Sequence, residues 1–306
     1  MLTLSNVLKS LLFVSLGYFL CRSKKLPADT PKVLSTITTM LFYPAYSINN
    51  LSKNFTIERV ADKLTVLGLG VLCLGLVFLL ALLFSRILGR TDLEKRTIIY
   101  AFTISNYVYF GYPLIESVFG AELLSDVIVY TIPSAIAANS VFYMMLSGQT
   151  KLSWKRILTS PLILAPFIGS ALGLSGIQLP KILQDVLSGC GGCMSPVSMI
   201  LMGFILGQLH VVESFKSVRS YTMSLIRMVV IPGIFGVVMY FLGLRGIYFL
   251  IPLLVLSMPI GVNIVVFPES CGIDARDNAK TVFLSYILAA GILPLTFSLI
   301  THLSGI

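Results

Sequence analysis

The chain carries the stretch Asn106-Tyr-Val-Tyr-Phe-Gly-Tyr-Pro113 and, in its second half, the stretch Asn263-Ile-Val-Val-Phe-Pro268. Each lies inside or at the end of an apolar run, where Pro interrupts the hydrogen bonding of a helix. In a bilayer, the backbone groups released by such a break must be covered by protein or by a water-filled cavity. Two matched breaks, one in each half of a chain, are typical of the central site of a membrane transporter.

Composition places the chain in the membrane. Hydrophobic residues make up 56% of the 306 residues, and charged residues make up only 11%. Soluble domains carry about 25% charged residues, so these values predict a polytopic membrane protein surrounded by lipid. The formal net charge is +9, but Lys and Arg lie in short clusters between apolar runs, as in membrane-protein loops. We therefore expect no nucleic-acid partner.

Apolar runs of about 20 residues are long enough to cross a bilayer as helices. The sequence predicts an all-α membrane protein with ten transmembrane spans. Their approximate bounds are 2–21, 32–51, 62–85, 97–119, 126–147, 157–175, 190–209, 221–243, 247–268 and 279–302. The first run precedes its basic cluster and lacks a small-residue cleavage site, so we interpret it as a retained span.

Loop charge predicts the orientation of these spans. Most of the 22 Lys and Arg residues lie in the loops that follow spans 1, 3, 5, 7 and 9. Because basic residues favour the cytoplasmic side, these loops are expected to be cytoplasmic. We therefore expect an integral protein of the cell membrane with both termini outside.

Landmarks in the first half of the chain recur in the second half, about 150 to 160 residues later. They are Leu26-Pro27 with Leu179-Pro180, Pro44 with Pro196, Asn106 with Asn263, Pro113 with Pro268, and Gly120 with Gly272. Each half, residues 1–150 and residues 151–306, then holds five spans. Because five is odd, the second half enters from the opposite face, giving a 5+5 inverted repeat in which spans 4 and 9 are broken, crossing helices.

The breaks predict an anion site. Pro113 and Pro268 are expected to begin the second half-helix of spans 4 and 9, because Pro suits a first helical position. The freed N–H groups and the positive ends of the half-helix dipoles would then attract an anion. Asn106 and Asn263 each add an amide that can bind substrate or exposed backbone. The alternative is two ordinary proline kinks with satisfied Asn side chains.

Further candidates for the site are charged or aromatic. Arg227 lies inside a predicted span, where it could pair with a substrate carboxylate or extend its long stem to the membrane surface. Tyr43 and Tyr107 could line a cavity, although Tyr at the end of a span is often an interfacial anchor. Glu269 is a candidate for proton coupling; its alternative role, shared with Glu116, is to cap a half-helix.

The sequence favours neither enzymatic nor metal chemistry. It contains no HExxH motif and no pair of Asp residues in the middle of a span, while His210 and His302 lie near span ends. The Cys190-Gly-Gly-Cys193 motif has no second CxxC pair and no nearby His, which makes it weak support for a metal site. We therefore predict no enzyme, no cofactor and no metal.

The run Ser105-Asn-Tyr-Val-Tyr-Phe-Gly-Tyr-Pro-Leu114, followed by Phe119-Gly120, resembles the Asn-x-x-x-x-Gly-x-Pro-Leu signature of the auxin efflux carrier family of permeases. Further similarities are Gly17-Tyr18, Leu26-Pro27, Phe42-Tyr-Pro44, residues 227–232 and residues 259–272, so the resemblance covers essentially the whole chain. Plant members carry a long loop after span 5, where this chain has only residues 147–156. The chain is therefore similar to compact microbial-type members.

The resemblance implies a scaffold made of spans 1, 2, 6 and 7 and a mobile unit made of spans 3–5 and 8–10. It also implies an organic-anion substrate held by Asn106 and Asn263, elevator-like alternating access, and a homodimer. Three alternatives stay open from the sequence: a sodium-coupled symporter of the bile-acid-symporter-like fold, a channel, and a receptor without transport.

Overall fold

Helices account for almost all regular structure in the computed structural model, which describes residues 2–149, 151, 153–208 and 214–305. Apolar runs form helices because a helix bonds its own backbone groups and needs no partner from lipid. The α-helices are α1 (Leu2–Arg22), α2 (Thr30–Ile37), α3 (Tyr43–Asn54), α4 (Val60–Leu88), α5 (Asp92–Thr103), α6 (Tyr112–Asn139), α7 (Val141–Ser147), α8 (Trp154–Leu158), α9 (Pro161–Ser175), α10 (Lys181–Gly192), α11 (Met194–Gln208), α12 (Val218–Leu225), α13 (Ile231–Phe241), α14 (Ile247–Ser257), α15 (Asn263–Glu269) and α16 (Arg276–Ser304). The predicted His210 position lies outside the described residues.

Five helical stretches of the described chain are long and apolar enough to cross a membrane. They are Ile57–Leu88, Tyr107–Ser147, Lys181–Gln208, Val218–Phe241 and Arg276–Ser304. Two shorter apolar helices, α9 and α14, add to them. The all-α class is thus confirmed with five clear candidate spans, and the count of ten stays a prediction.

Three π-helical segments of the described chain each lie just before a proline. The segments and their prolines are Thr38–Phe42 with Pro44, Tyr107–Gly111 with Pro113, and Ile226–Val230 with Pro232. A proline ring clashes with the carbonyl group four residues earlier, and that carbonyl lies at the middle of each π segment. The wider π turn therefore accommodates the proline without ending the helix.

Two glycines of the predicted repeat share an unusual backbone conformation. Gly120, within α6, has φ +86°, and Gly272, after α15, has φ +75°. A positive φ favours glycine because it has no Cβ. The glycine at each position therefore lets the chain turn between the half-helix and the next helix.

The helices group into two compact units. Unit 1 consists of Met1–Gly68, Val108–Ala135 and Lys155–Gln208, and unit 2 consists of Leu69–Tyr107, Ile136–Trp154 and Leu209–Ile306. In unit 1, α1 packs against α11 at glycines. A Cβ on Gly203 would lie only 1.8 Å from the carbonyl oxygen of Val14, so the two backbones approach as closely as glycine allows.

Unit 1 also contains a buried ion pair between α4 and α6. Lys63 Nζ lies 2.5 Å from Asp126 Oδ1, and the two side chains are 0% and 3% exposed. The ammonium group also donates to Ser125 Oγ. One helical turn away, Arg59 and Glu122 form a second pair at 2.6 Å, with side chains 32% and 69% exposed. The two ion pairs thus have the same chemistry and differ in how far they are buried.

We expect the Asp126→Asn variant to lose about 3–5 kcal/mol of stability, because it leaves the Lys63 ammonium buried without its counter-charge. The matched Glu122→Gln variant should lose less than about 1 kcal/mol, because water screens the exposed pair. Thermal unfolding of the detergent-solubilised variants measures the difference. Equal losses for the two variants would contradict the distinction between the buried and the exposed pair.

Candidate functional site

Two helices are interrupted at breaks that lie in unit 2. The first ends at Thr103, after which Ile104 is extended (φ −108°, ψ 118°), and helical structure resumes with the π segment that begins at Tyr107. The second ends at Ser257, after which Met258 is extended (φ −65°, ψ 150°), and α15 begins at Asn263. Both breaks therefore lie on the N-terminal side of the half-helix that follows.

The two breaks pair with each other through their backbones. The Asn106 N–H donates to the Pro259 carbonyl oxygen at 2.9 Å, and Ser105 lies opposite Ile260 in an isolated antiparallel bridge. On its other side, the Ile260 N–H donates to Ser285 Oγ in α16 at 3.3 Å. Backbone N–H and C=O groups that lose their helical partners at the breaks are thus hydrogen-bonded by the other break and by a neighbouring helix, as an apolar environment requires.

The two asparagines predicted for the site flank this pairing, and each contacts a tyrosine. Asn106 Nδ2 donates to the hydroxyl group of Tyr286 in α16. Asn263 Nδ2 donates to the hydroxyl group of Tyr100 in α5 at 3.0 Å. Asn106 is buried and Asn263 is half-buried. An Asn NH2 group has two N–H donors, so the hydrogen bond that one N–H makes to a tyrosine fixes the direction of the other N–H.

Sequence reasoning missed Tyr100 and Tyr286. Both are buried, at 0% and 4% exposure, and each lies in a buried stretch of its helix, where a tyrosine resembles any core aromatic. The one available signal was chemical, because a buried Tyr hydroxyl usually has a hydrogen-bond partner.

Aromatic rings pack against α15, the half-helix that follows the second break. The Tyr100 ring packs edge-on against Phe142 and Phe267, with centroids 5.6 and 6.1 Å apart, and Tyr143 contacts Phe267 at 5.0 Å. Phe267 belongs to α15, the half-helix that begins at Asn263. The polar amide of Asn263 therefore lies next to apolar ring surface within the same unit.

The prolines do not play the parts that the sequence suggested. Pro113 is the second residue of α6, but helical structure already begins at Tyr107. Pro268 lies near the end of α15 rather than at its start. The prediction that Pro268 begins a half-helix was therefore wrong, and Asn263 holds that position instead.

The predicted acidic residues do not cap half-helices. Glu269 is the last residue of α15 and is exposed, so it cannot interact with the N-terminal amides of that helix. Glu116 Oε2 accepts a hydrogen bond from the Tyr46 hydroxyl group at 2.6 Å within unit 1. The capping role expected for both residues was therefore wrong.

Tyr43 and Tyr107 lie in different units. Tyr107 is buried in unit 2 at the start of the π segment. Tyr43 is buried in unit 1, where its hydroxyl group donates to the Leu162 carbonyl oxygen at 3.3 Å and its ring stacks on Tyr112 at 6.3 Å. Within unit 2, the structure thus brings together Asn106, Asn263 and Tyr107.

Arg227 is fully buried, with 0% exposure, in the π segment Ile226–Val230 of unit 2. Its Nη2 donates to the Val255 carbonyl oxygen at 3.5 Å. Val255 is in the last turn of α14, directly before the second break. The side chain therefore does not extend to an exposed surface, and its charge lies at the negative end of the α14 dipole.

The start of α5 is held by charged groups outside the apolar spans. The Arg90 backbone N–H donates to Glu94 Oε2 at 2.8 Å and holds the pKa of that carboxyl group below its usual value. Arg219, at 3.0 Å from Glu94, lowers the pKa further. This ion pair joins the start of α5 to α12 within unit 2. Among the described residues, no three His, Cys, Asp or Glu side chains are grouped to hold a metal ion.

Known proteins resemble this chain throughout its length. The sequence profile of the family described as membrane transport protein matches twice, over residues 2–153 and 148–297. An uncharacterized transporter of Methanothermobacter thermautotrophicus is 23% identical over 95% of this chain and 96% of its own length. An uncharacterized transporter of Methanocaldococcus jannaschii is 22% identical over 93% and 94% of the two chains.

The double match fits a repeated architecture, because each copy of the profile covers about one half of the residues. Together with the apolar helices, it identifies an integral membrane protein with a role in transport. The chain belongs to the membrane transport protein family, the auxin efflux carrier family that its motifs resemble.

Proposed function

We propose that the protein is a secondary carrier that moves a small organic anion, a carboxylate, across the membrane by elevator-like alternating access. The observation that carries this proposal is the pairing of two helix breaks within one unit, each bordered by a buried or half-buried asparagine. Non-helical backbone at membrane depth is tolerated only where protein covers it or where it lines a water-filled cavity. In the proposed fold, these breaks belong to crossing spans 4 and 9 of ten spans in a 5+5 inverted repeat.

The polarity of the breaks supports an anion as the substrate. Asn106 and Asn263 present amide donors there, and the helix that begins at Tyr107 directs its first N–H groups toward the first break. These N–H groups carry the partial positive charge of a helix start. The seven-residue α15 contributes little of this kind, so the Asn263 side chain is the more important donor at the second break.

Residues 104–106 and 258–262, which form the two breaks, lie in unit 2, and this supports their movement as one body, whereas residues 108–135 of spans 4 and 5 lie in unit 1. Helices α5, α14, α15 and α16 all lie in unit 2 and are joined by the hydrogen bonds at the breaks. In the proposed mechanism, spans 3–5 and 8–10 move against a scaffold of spans 1, 2, 6 and 7. The substrate would stay bound to Asn106 and Asn263 during that movement.

We expect the Asn106→Ala and Asn263→Ala variants to bind carboxylates about 10- to 100-fold more weakly, since a hydrogen bond to a charged group contributes about 1.5–3 kcal/mol. A thermal-shift screen of small carboxylates on purified protein, followed by calorimetric titration, measures the loss. Asn54→Ala is the control, because Asn54 donates to the Asn50 carbonyl oxygen in unit 1. Normal binding and uptake by the double variant would refute the proposed site.

Counterflow in proteoliposomes tests the carrier against the channel. Vesicles that contain a carrier and are preloaded with unlabelled carboxylate accumulate labelled carboxylate transiently. Their uptake rate saturates with substrate concentration, because each site must return loaded or empty. A channel equilibrates the label without overshoot, and a receptor binds without flux.

Imposed sodium and pH gradients in the same vesicles test coupling. We propose Glu269 as the proton carrier; uptake that keeps its pH dependence in the Glu269→Gln variant would remove that assignment. Uptake that requires sodium would favour the symporter instead.

Orientation is testable with a reporter. We propose that both termini lie outside, because the loops rich in Lys and Arg are expected to be cytoplasmic. A reporter that is active only outside the cytoplasm should be active when fused after Ile306. The matched fusion in the basic loop after Leu88 should be inactive. The reverse pattern would overturn this orientation.

A further inference from the structure

The Ser105 hydroxyl group is a polar group that the proposed binding residues leave out. Ser105 lies directly before Asn106, in the break between α5 and the π segment. The residue is 4% exposed, and its Oγ makes no hydrogen bond to any residue that the structure describes. Burial without a partner removes a hydroxyl group from water and gives nothing in return, so this position calls for a physical reason.

Other buried serines show how such a hydroxyl group is normally satisfied. In a helix, the side chain donates to a carbonyl group three or four residues earlier. Examples are Ser198 to Met194 at 2.6 Å, Ser224 to Ser220 at 2.7 Å, Ser257 to Leu253 at 2.7 Å and Ser285 to Val282 at 2.8 Å. Thr103, at the end of α5, still donates to Ile99 at 2.7 Å.

Ser105 cannot use this solution. Ile104 is extended (φ −108°, ψ 118°), so the chain has left the helix and the earlier carbonyl groups no longer lie below the side chain. The break thus both orients the Asn106 backbone toward Pro259 and separates the Ser105 hydroxyl group from local acceptors.

The partner residue in the bridge provides an internal comparison. Ile260 lies opposite Ser105, and its N–H donates to Ser285 Oγ. Ser285 therefore holds the backbone of the second break, while Ser105 contributes no such bond to the first. One serine beside the paired breaks has a structural role, and the other has a donor next to Asn106 that remains for a ligand.

We propose that Ser105 is a substrate-binding residue whose hydroxyl group donates a hydrogen bond to a carboxylate oxygen held beside Asn106. This inference rests on the proposed function and adds a third polar contact to it. A neutral donor contributes direction without a fixed charge. Because the hydroxyl group is unsatisfied before binding, the carboxylate replaces no existing protein hydrogen bond when it binds.

The test separates binding from folding with the Ser105→Ala variant, using succinate and benzoate as probes. The unfolding midpoint of the unliganded variant should equal or exceed that of the natural protein, because an unsatisfied polar group is removed. Affinity for the better probe, measured by calorimetric titration, should fall about tenfold. Ser105→Thr, which keeps a hydroxyl group, should recover part of the affinity.

Two matched serine variants serve as controls. Ser147 also has a buried Oγ without a hydrogen-bond partner among the described residues and lies at the end of α7 in unit 2. The Ser147→Ala variant should keep the affinity of the natural protein. The Ser285→Ala variant should lower the unfolding midpoint, because it removes the partner of the Ile260 N–H.

The outcomes distinguish the two proposals. If the natural protein binds neither probe, both the proposed carboxylate function and the role of Ser105 fail. If it binds and the Ser105→Ala variant binds equally well, only the role of Ser105 is overturned. A Ser105→Ala variant that loses stability as well as affinity would assign Ser105 a structural role and would also overturn the inference.

Discussion

A backbone amide inside a membrane cannot be left without a hydrogen bond, and the centre of unit 2 depends on how this requirement is met. Two helices are interrupted there, and each interruption supplies partners for the other. The Asn106 N–H reaches the Pro259 carbonyl oxygen, and the Ile260 N–H reaches Ser285. Neither break would be stable alone in an apolar environment, so the two segments and α16 form one interdependent structure.

With the backbone hydrogen-bonded by backbone groups and by Ser285, the asparagine side chains at the breaks make hydrogen bonds of their own. Tyr286 and Tyr100 hold the amides of Asn106 and Asn263 in defined orientations. A donor that is already oriented loses less conformational freedom when it binds a ligand than a mobile one does. In the proposed function, the tyrosines therefore contribute to binding by orienting the two amides.

The positions of the breaks could be predicted because Asn and Pro interrupt two apolar runs, and the repeat landmarks at Gly matched as well. Asn106 and Asn263 border the two breaks, and Gly120 and Gly272 both adopt positive φ. The action of proline was less predictable, since Pro113 follows a π turn and Pro268 lies near the end of its helix. The Tyr100 and Tyr286 contacts could not be predicted, because they join residues far apart in sequence. The missing hydrogen-bond partner of the Ser105 hydroxyl group could not be predicted either, because it is the extended backbone at Ile104 that removes the usual acceptor.

The charges of unit 2 give the breaks a polarity that bears on the choice of substrate. Arg227 is buried against the last turn of α14, and a buried charge is screened much less than an exposed one. Arg227 lies in the same unit as the amide donors of Asn106 and Asn263. A hard cation requires several oxygen ligands that converge on one point, whereas donors and a guanidinium group favour negative charge. The same arrangement that keeps the broken backbone satisfied is therefore consistent with the proposed carboxylate substrate.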